Sequence, residues 1–355
     1  MAGEPSKTGR RRGAAVLRTR GGLSVRLDVR ALVAGALLLL VALLAAVLLI
    51  GTGDFPMTPN QVLHTLLGDG SAAQTFIVRD LRLPRVLVGL LVGAAFGVAG
   101  AVFQTISRNP LGSPDVLGFA QGSMVGALVV IVYFQGSTVA VAGGSVVGGL
   151  ATGGAIFLLA WKGGIHGYRF VLVGIGGAAM LYAIVLFLIT KANIVEATRA
   201  TVWMNGSLSG RDWGQVWPLA VVCAVLIPLT LLYGRPLRML EMGDDAAYAL
   251  GVRVNRVRVV LLVAAVLLVA AGTAAAGPIS FVALTAPQLA RRATRAPGPN
   301  LLPSALMGAA LLLAADWASQ KVFGADQVAV GVVTGMLGGG YLLWLLVVER
   351  RKGRI

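Results

Sequence analysis

Charge is what this chain has least of. Of its 355 residues only 12% are charged, while 57% are hydrophobic, and its mean hydropathy is +0.84. The charged share is about half that of a soluble protein, too little to cover a globule in water, so lipid is the solvent for most of the chain. Cysteine is reduced to Cys223, which excludes an intramolecular disulfide. Its place in an apolar run reads as a small buried hydrophobe. The two histidines, His64 and His166, have no ligand partner at useful spacing, so a histidine-built metal centre is excluded. A Gly-x-x-x-x-Gly-Lys-Ser/Thr phosphate loop is also missing, and the chain therefore cannot hydrolyse ATP by itself. No basic groove with interleaved aromatics accompanies the net charge of +16, so nucleic acid is not an expected partner.

What the sequence does have is apolar runs separated by clusters of charge. Residues 31–51 carry no charge and are long enough to cross a hydrocarbon core of about 30 Å as a helix. The run is too long for a signal peptide and lacks a small-residue cleavage site after it. The same reading along the chain places about ten transmembrane helices near 31–51, 86–107, 116–134, 139–161, 170–190, 214–234, 259–276, 278–290, 303–320 and 328–348. This is an all-α polytopic fold, with a single membrane domain over 31–348. With both termini placed in the cytoplasm, 23 of the 30 Lys and Arg fall on the cytoplasmic side, which the positive-inside rule strongly favours. Residues 1–30, basic and without a sustained apolar period, read as a disordered cytoplasmic tail, and 349–355 as a second one.

Residues 259–290 hold no charge, too many for one span and too few for two full ones. Gly277-Pro278 is the expected break, since proline lacks the amide donor and glycine tolerates the bend. One arm is then short, a geometry tolerated only beside protein or water, which points to a transport path. Glycine numbers 48, nearly twice ordinary usage. Much of it recurs four apart: Gly89, Gly93 and Gly97; Gly144 and Gly148; Gly331, Gly335 and Gly339. Such faces let helix backbones approach closely, within the subunit first and for a share of them at a dimer contact. Asp316 is the one charge well inside a predicted span; a transport role and a structural ion pair with a neighbouring helix are equally open to it. No chain of acids or histidines is available to relay protons, which counts against an ion-coupled secondary transporter. No clustered catalytic set is visible either, so a membrane-embedded enzyme is disfavoured.

The longest charged insertion on the cytoplasmic side is 235–258. Asp244, after Gly243, suits a helix N-cap, with Asp245 favourable in the first turn. Ala246 to Leu250 are helix-compatible, and Gly251 is placed to end the turn in a left-handed conformation. A preceding short helix over 236–242 would make an angled knob with Leu240, Met242, Tyr248 and Leu250 as apolar contacts, which reads as a docking surface for a partner rather than a solvated connector.

Six motifs then resemble one family. They are Arg82-Leu83-Pro84-Arg85 leading into a glycine-rich span; Gln104 with Arg108-Asn109-Pro110-Leu111; Pro114-Asp115-Val116-Leu117-Gly118; Glu241-Met242-Gly243-Asp244-Asp245 with Leu250-Gly251; Gly277-Pro278-Ile279-Ser280-Phe281 with Ala286-Pro287-Gln288; and Val330-Gly331-Val332-Val333-Thr334. Found in this order over most of the chain, they resemble the FecCD family of type II ABC importer permeases, which includes the vitamin B12 permease. Residues 202–213 and 175–180 look most like siderophore permeases of actinobacterial type, with haem and cobalamin permeases the nearby alternatives.

The resemblance implies a ten-helix, non-catalytic subunit of a bacterial cell membrane. It would pair with a second permease, sister or identical, around a central path. Two copies of a cytoplasmic ABC ATPase would bind the ATP and magnesium, and no cofactor is expected in this chain. The loop 235–256, with Leu240, Glu241, Gly243, Asp244, Asp245, Ala246, Leu250 and Gly251, would couple to that ATPase. Arg82 and Arg85 would face outside toward acidic residues of an extracytoplasmic siderophore-binding protein, the alternative for both being anchoring at the lipid headgroups. Gln104, Asn109, Pro110, Gly277, Pro278 and Asp316 would belong to the path or its helix break. The chain departs from the family in three places. Gln320 followed by Lys321 stands where an Arg is common, leaving Lys321 as the docking cation. Gln327-Val328-Ala329 replaces a usual Glu-Leu-Pro, and Gln288, given no role, replaces a common His. No protein ligands for bare iron are evident, so the metal would travel inside its chelator.

Overall fold

A computed structural model describes residues 14–18, 24–161, 167–322 and 328–351. The chain opens with two strands, β1 (Ala14–Arg18) and β2 (Ser24–Asp28), and continues with α1 (Val29–Gly51), α2 (Pro59–Leu67) and α3 (Ala72–Thr75). A π-helical stretch, Phe76–Arg82, leads without a break into α4 (Leu83–Ser107). Next come α5 (Phe119–Phe134), α6 (Thr138–Ala160), α7 (Gly167–Lys191), α8 (Ile194–Met204) and α9 (Trp213–Leu232). The chain then forms α10 (Gly234–Leu240), α11 (Asp244–Ala249), α12 (Val254–Ala276), α13 (Val282–Thr294), α14 (Leu301–Lys321) and α15 (Val330–Arg351).

Among the described residues seven helices are long and apolar enough to cross a membrane, and two more, Phe119–Phe134 and Val330–Leu345, are apolar but shorter. The eighth expected span, 278–290, is the short arm of the break and not a full crossing. Its helix is α13, of 13 residues, about 20 Å at the helical rise and well short of the hydrocarbon core. A second short helix, α8, was absent from the sequence reading altogether. Its 11 residues, IVEATRATVWM, hold Glu196 and Arg199 and lack a run long enough to signal a span. β1 and β2 pair antiparallel, Val16 opposite Arg26 and Leu17 opposite Val25, and β2 alternates apolar and charged residues with the period of a strand. Residues 1–13, 19–23 and 352–355 lie outside the described residues, as do His166 and Gln327.

Helix α4 is the axis of the bundle and packs against α14, α12, α13 and α9. Its glycines explain how. A Cβ on Gly93 or Gly97 would strike the backbone of Gly308 or Ser304 in α14, and one on Gly100 would strike Ala283 in α13. The α5–α6 pair repeats the device, with Gly122 and Gly126 set against Gly144 and Gly148. Where lipid gives helices no hydrophobic reason to associate, this backbone proximity supplies dispersion contact instead. Gly335 and Gly339 on α15 are different, with nothing within 4 Å of an added Cβ.

The bundle has two distinct ends. The start of α4 lies beside α2 and the end of α14, whereas the end of α4 lies beside α10, α11 and the start of α12. Between them, the expected break occurs where proposed: α12 stops at Ala276 and Gly277 takes φ +77°. A side chain there would be strained and would meet the Trp203 carbonyl oxygen at 2.6 Å. The segment after α8 fills the gap, with the Ser207 amide donating to the Ala276 carbonyl at 2.8 Å and the Gly331 amide to that of Gly206 at 3.1 Å. The break therefore joins α12, the α8–α9 connection and the start of α15.

Candidate functional site

At the α2 end, Arg82 and Arg85 are both engaged within the chain. Arg85 makes a two-pronged contact with Asp316, Nε to Oδ2 at 2.9 Å and Nη2 to Oδ1 at 2.7 Å. The side chains are 19% and 2% exposed. Gln320 adds a third donor to Asp316 at 3.2 Å. Of the two roles open to Asp316, the structure supplies the ion pair, and Gln320, a departure from the family pattern, joins it. Arg82 donates to the carbonyl oxygens of Ile50 at 2.6 Å and Phe55 at 2.8 Å, pinning the turn after α1. Each guanidinium thus spends two of its five N–H donors within the chain. Lys321 is exposed.

The other end is built differently. α10 and α11 form the expected pair of short helices hinged at Gly243, whose φ of +114° is a conformation glycine adopts freely. Gly251 takes φ +80° and closes α11 in the left-handed region, as its position suggested. Leu237, Leu240 and Ala247 anchor the knob in the core, while Met242, Tyr248 and Leu250 are 69%, 52% and 57% exposed. The N-cap expectation for Asp244 is corrected, because Gly243 occupies the cap position and no side chain caps the helix. The Asp244 carboxylate instead accepts from Arg108 at the end of α4 and from Arg258 in the first turns of α12, the latter at 2.9 Å. Arg108 also donates to the Leu240 carbonyl at 3.3 Å. One carboxylate thus ties the knob to both helices. Asp245 is exposed beside it.

Next to this clamp lies a polar cavity of about 380 Å³, lined by Gln104, Thr105, Arg108, Glu241, Arg291 and Gly298 among others. Gln104, almost wholly buried, donates to the Leu284 carbonyl at 2.9 Å and accepts from Arg291 at 3.1 Å, joining α4 to α13. Thr105 Oγ1 and Arg291 Nε are buried without a hydrogen-bond partner among the described residues. Burial pushes the Glu241 carboxyl above its ordinary range, opposed by the nearby charges of Arg291 and Arg238. Asn109 makes a local turn, its Oδ1 accepting from the Leu111 amide at 2.9 Å. The Pro110 carbonyl accepts from Gln288 at 2.7 Å, and Tyr341 of α15 donates to the other side of the Gln288 amide at 3.2 Å. Sequence reasoning gave Gln288 no role. Its partners lie 178 and 53 residues away, and only its place on α13, near Arg291, could have marked it.

Gln104, Pro110 and the knob are thus brought together at one end. Asp316 lies at the other, and Gly277 and Pro278 lie between them. No cluster of His, Cys, Asp and Glu that could hold a metal ion occurs among the described residues. A multi-pass helical bundle with a broken helix at its centre and a clamped knob at one end defines a membrane permease subunit. The chain belongs to the FecCD transport family, whose model matches residues 37–348.

Its relatives agree along nearly their whole length. It is 45% identical over 323 residues to the ferric enterobactin transport system permease protein FepG of Escherichia coli, covering 91% of this chain and 98% of that one. It is 36% identical over 304 residues to the iron(3+)-hydroxamate import system permease protein FhuG of Bacillus subtilis, covering 83% and 90%. Among solved structures, a metal-chelate type ABC transporter in an inward-facing conformation matches with a TM-score of 0.79 at 25% identity, covering 89% of this chain and 98% of that one. The resemblance carried by the six motifs is therefore borne out. The protein is a non-catalytic permease subunit of an ABC transporter, a multi-pass protein of the bacterial cell membrane, and its family implies ATPase and binding-protein partners.

Proposed function

We propose that this chain is the transmembrane permease of an importer for ferric-siderophore complexes, paired with a second permease subunit and driven by two copies of a cytoplasmic ATPase. The observation that carries the substrate is the identity to the ferric enterobactin permease over 98% of that protein. On this reading both termini and the α10–α11 end face the cytoplasm. The exposed Met242, Tyr248 and Leu250 enter the ATPase, and Asp244 passes its movement to α4 through Arg108 and to α12 through Arg258. α12 leads to the break at Gly277, so movement at the knob reaches the centre of the bundle along a rigid helix. The open glycines Gly335 and Gly339 of α15, beside the exposed Met336 and Leu337, suit close contact with the second permease, taken here as a sister subunit. The binding protein, loaded with its chelate, approaches the α2 end, where Lys321 is exposed and Arg82 and Arg85 hold the surface in shape.

Uptake of labelled ferric enterobactin, ferric hydroxamate, haem and cobalamin by cells lacking the gene, then by cells with it restored, tests the substrate. Loss and recovery of one ferric chelate alone is the expected result. Loss of haem or cobalamin uptake instead would leave the importer standing and overturn its cargo.

A further inference from the structure

A crevice separate from the coupling site opens between the start of α1 and the end of α13. It has a volume of about 640 Å³ and is lined by Arg30, Val33, Ala34 and Leu37 on one side and by Arg292, Ala293, Thr294 and Arg295 on the other. Three arginines therefore line it. Arg292 is held there by two rings of α15, its guanidinium 4.8 Å from the centre of Trp344 and 5.7 Å from that of Tyr341. Arg292 and Arg295 are both exposed. They also sit in and just after the last turn of α13, where the helix dipole favours cations.

The other half of the crevice is apolar. Val33 and Leu37 are 53% and 56% exposed, and the same face of α1 continues through Leu40, Val41, Leu44 and Leu48, each half-exposed. α1 is long and apolar enough to cross a membrane, and most of it is not buried inside the bundle. Cationic above and apolar below, the crevice asks for an occupant of the opposite head and the same tail. We infer that it is a binding site for an anionic phospholipid, with the phosphate among Arg30, Arg292 and Arg295 and an acyl chain along Val33 and Leu37. Basic pockets between transmembrane helices recognise such headgroups through charge, while the tail adds apolar contact. A soluble anion would have no use for the apolar wall, and a soluble protein surface cannot follow α1 into hydrocarbon. Seated there, the lipid would bridge α1, α13 and, through Arg292, α15.

The test uses the assembled transporter in non-ionic detergent. Phosphatidylglycerol, phosphatidylcholine or inorganic phosphate is added, and retained lipid is read by native mass spectrometry. Phosphatidylglycerol should be retained in preference to phosphatidylcholine, and inorganic phosphate should not displace it. The variant Arg292→Gln with Arg295→Gln should bind phosphatidylglycerol roughly tenfold to thirtyfold more weakly, whereas Arg292→Lys with Arg295→Lys should keep most of the binding. Leu37→Asn, which leaves every arginine in place, should weaken retention through the acyl wall and gives an independent reading if the glutamine variant does not assemble. Equal retention of the two lipids, displacement by inorganic phosphate, or full retention by both the glutamine and the Leu37→Asn variants would overturn the site.

Discussion

The two ends of α4 use arginine to opposite effect. At the α2 end Arg85 and Asp316 close on one another in a buried two-pronged pair, and Arg82 spends its donors on two backbone carbonyls. Among the described residues, none of the buried side-chain atoms without a partner belongs to Arg82, Arg85 or Asp316. At the α10–α11 end Asp244 is shared between Arg108 and Arg258 and is itself 37% exposed. The cavity beside it holds buried atoms of Thr105 and Arg291 with no partner among the described residues. A saturated network has one arrangement, whereas an unsaturated one can exchange partners at little cost. The contrast matches the proposed division of labour, in which one end keeps its shape for a docking protein and the other responds to the ATPase.

The strongest way to break this contrast is to unpair the closed end. Asp316→Ala leaves Arg85 charged and largely buried with only solvent at its edge, which should cost about 3–5 kcal/mol. The loss should appear as a lower thermal midpoint and less protein in the membrane. Replacing both partners by leucine should recover much of it, because two buried charges are then removed together. If Asp316→Ala is as stable as the parent protein, the α2 end is not the fixed one. The clamp ranks second. Asp244→Ala releases Arg108 and the almost fully buried Arg258, at about 1.5–3 kcal/mol for hydrogen bonds to charged groups, and uptake should fall by more than the loss of protein explains. Asp245→Lys with Tyr248→Ser alters only the exposed face of the knob. It should leave the thermal midpoint unchanged while weakening ATPase association about tenfold or more. Normal association in a co-purification assay would return the knob to the role of a plain connector.

How much of this could be read from the sequence follows the range of the interactions. The long spans, the glycine faces and the break at Gly277 each depend on neighbours in the chain, and the structure has them where hydropathy and glycine spacing put them. The short helices are harder to see. α8 is too brief and too polar to produce a hydropathy signal, and the short arm at 278–290 was legible only because the charges at both ends of 259–290 demanded a return. The clamp was least visible. Asp244 looked like an N-cap because local geometry allows it, but Arg108 lies 136 residues away and outcompetes the helix end for its carboxylate. The Arg85–Asp316 pair spans 231 residues. The position of Asp316 inside a predicted span had raised an ion pair with a neighbouring helix as one of two options, without naming the partner.

The smallest expected effect probes the responsive end through pH. Burial raises the Glu241 carboxyl above its ordinary value of 4.5, even though Arg291 and Arg238 pull the other way. The folded protein therefore keeps this proton at a pH where the unfolded chain has already released it. Native chain binding more protons than unfolded chain means stability falls as pH rises from the ordinary glutamate value through the raised one, then levels off. Glu241→Gln removes the titration without removing the side chain. The difference in thermal midpoint between parent and Gln variant should thus turn against the parent as pH climbs above 4.5, with no further change once the folded group has ionised. The opposite slope, with the parent gaining on the variant as pH rises, would mean that Arg291 and Arg238 prevail over burial. The cavity would then be a paired and closed network like the one around Asp316, and the contrast between the two ends of α4 would have to be given up.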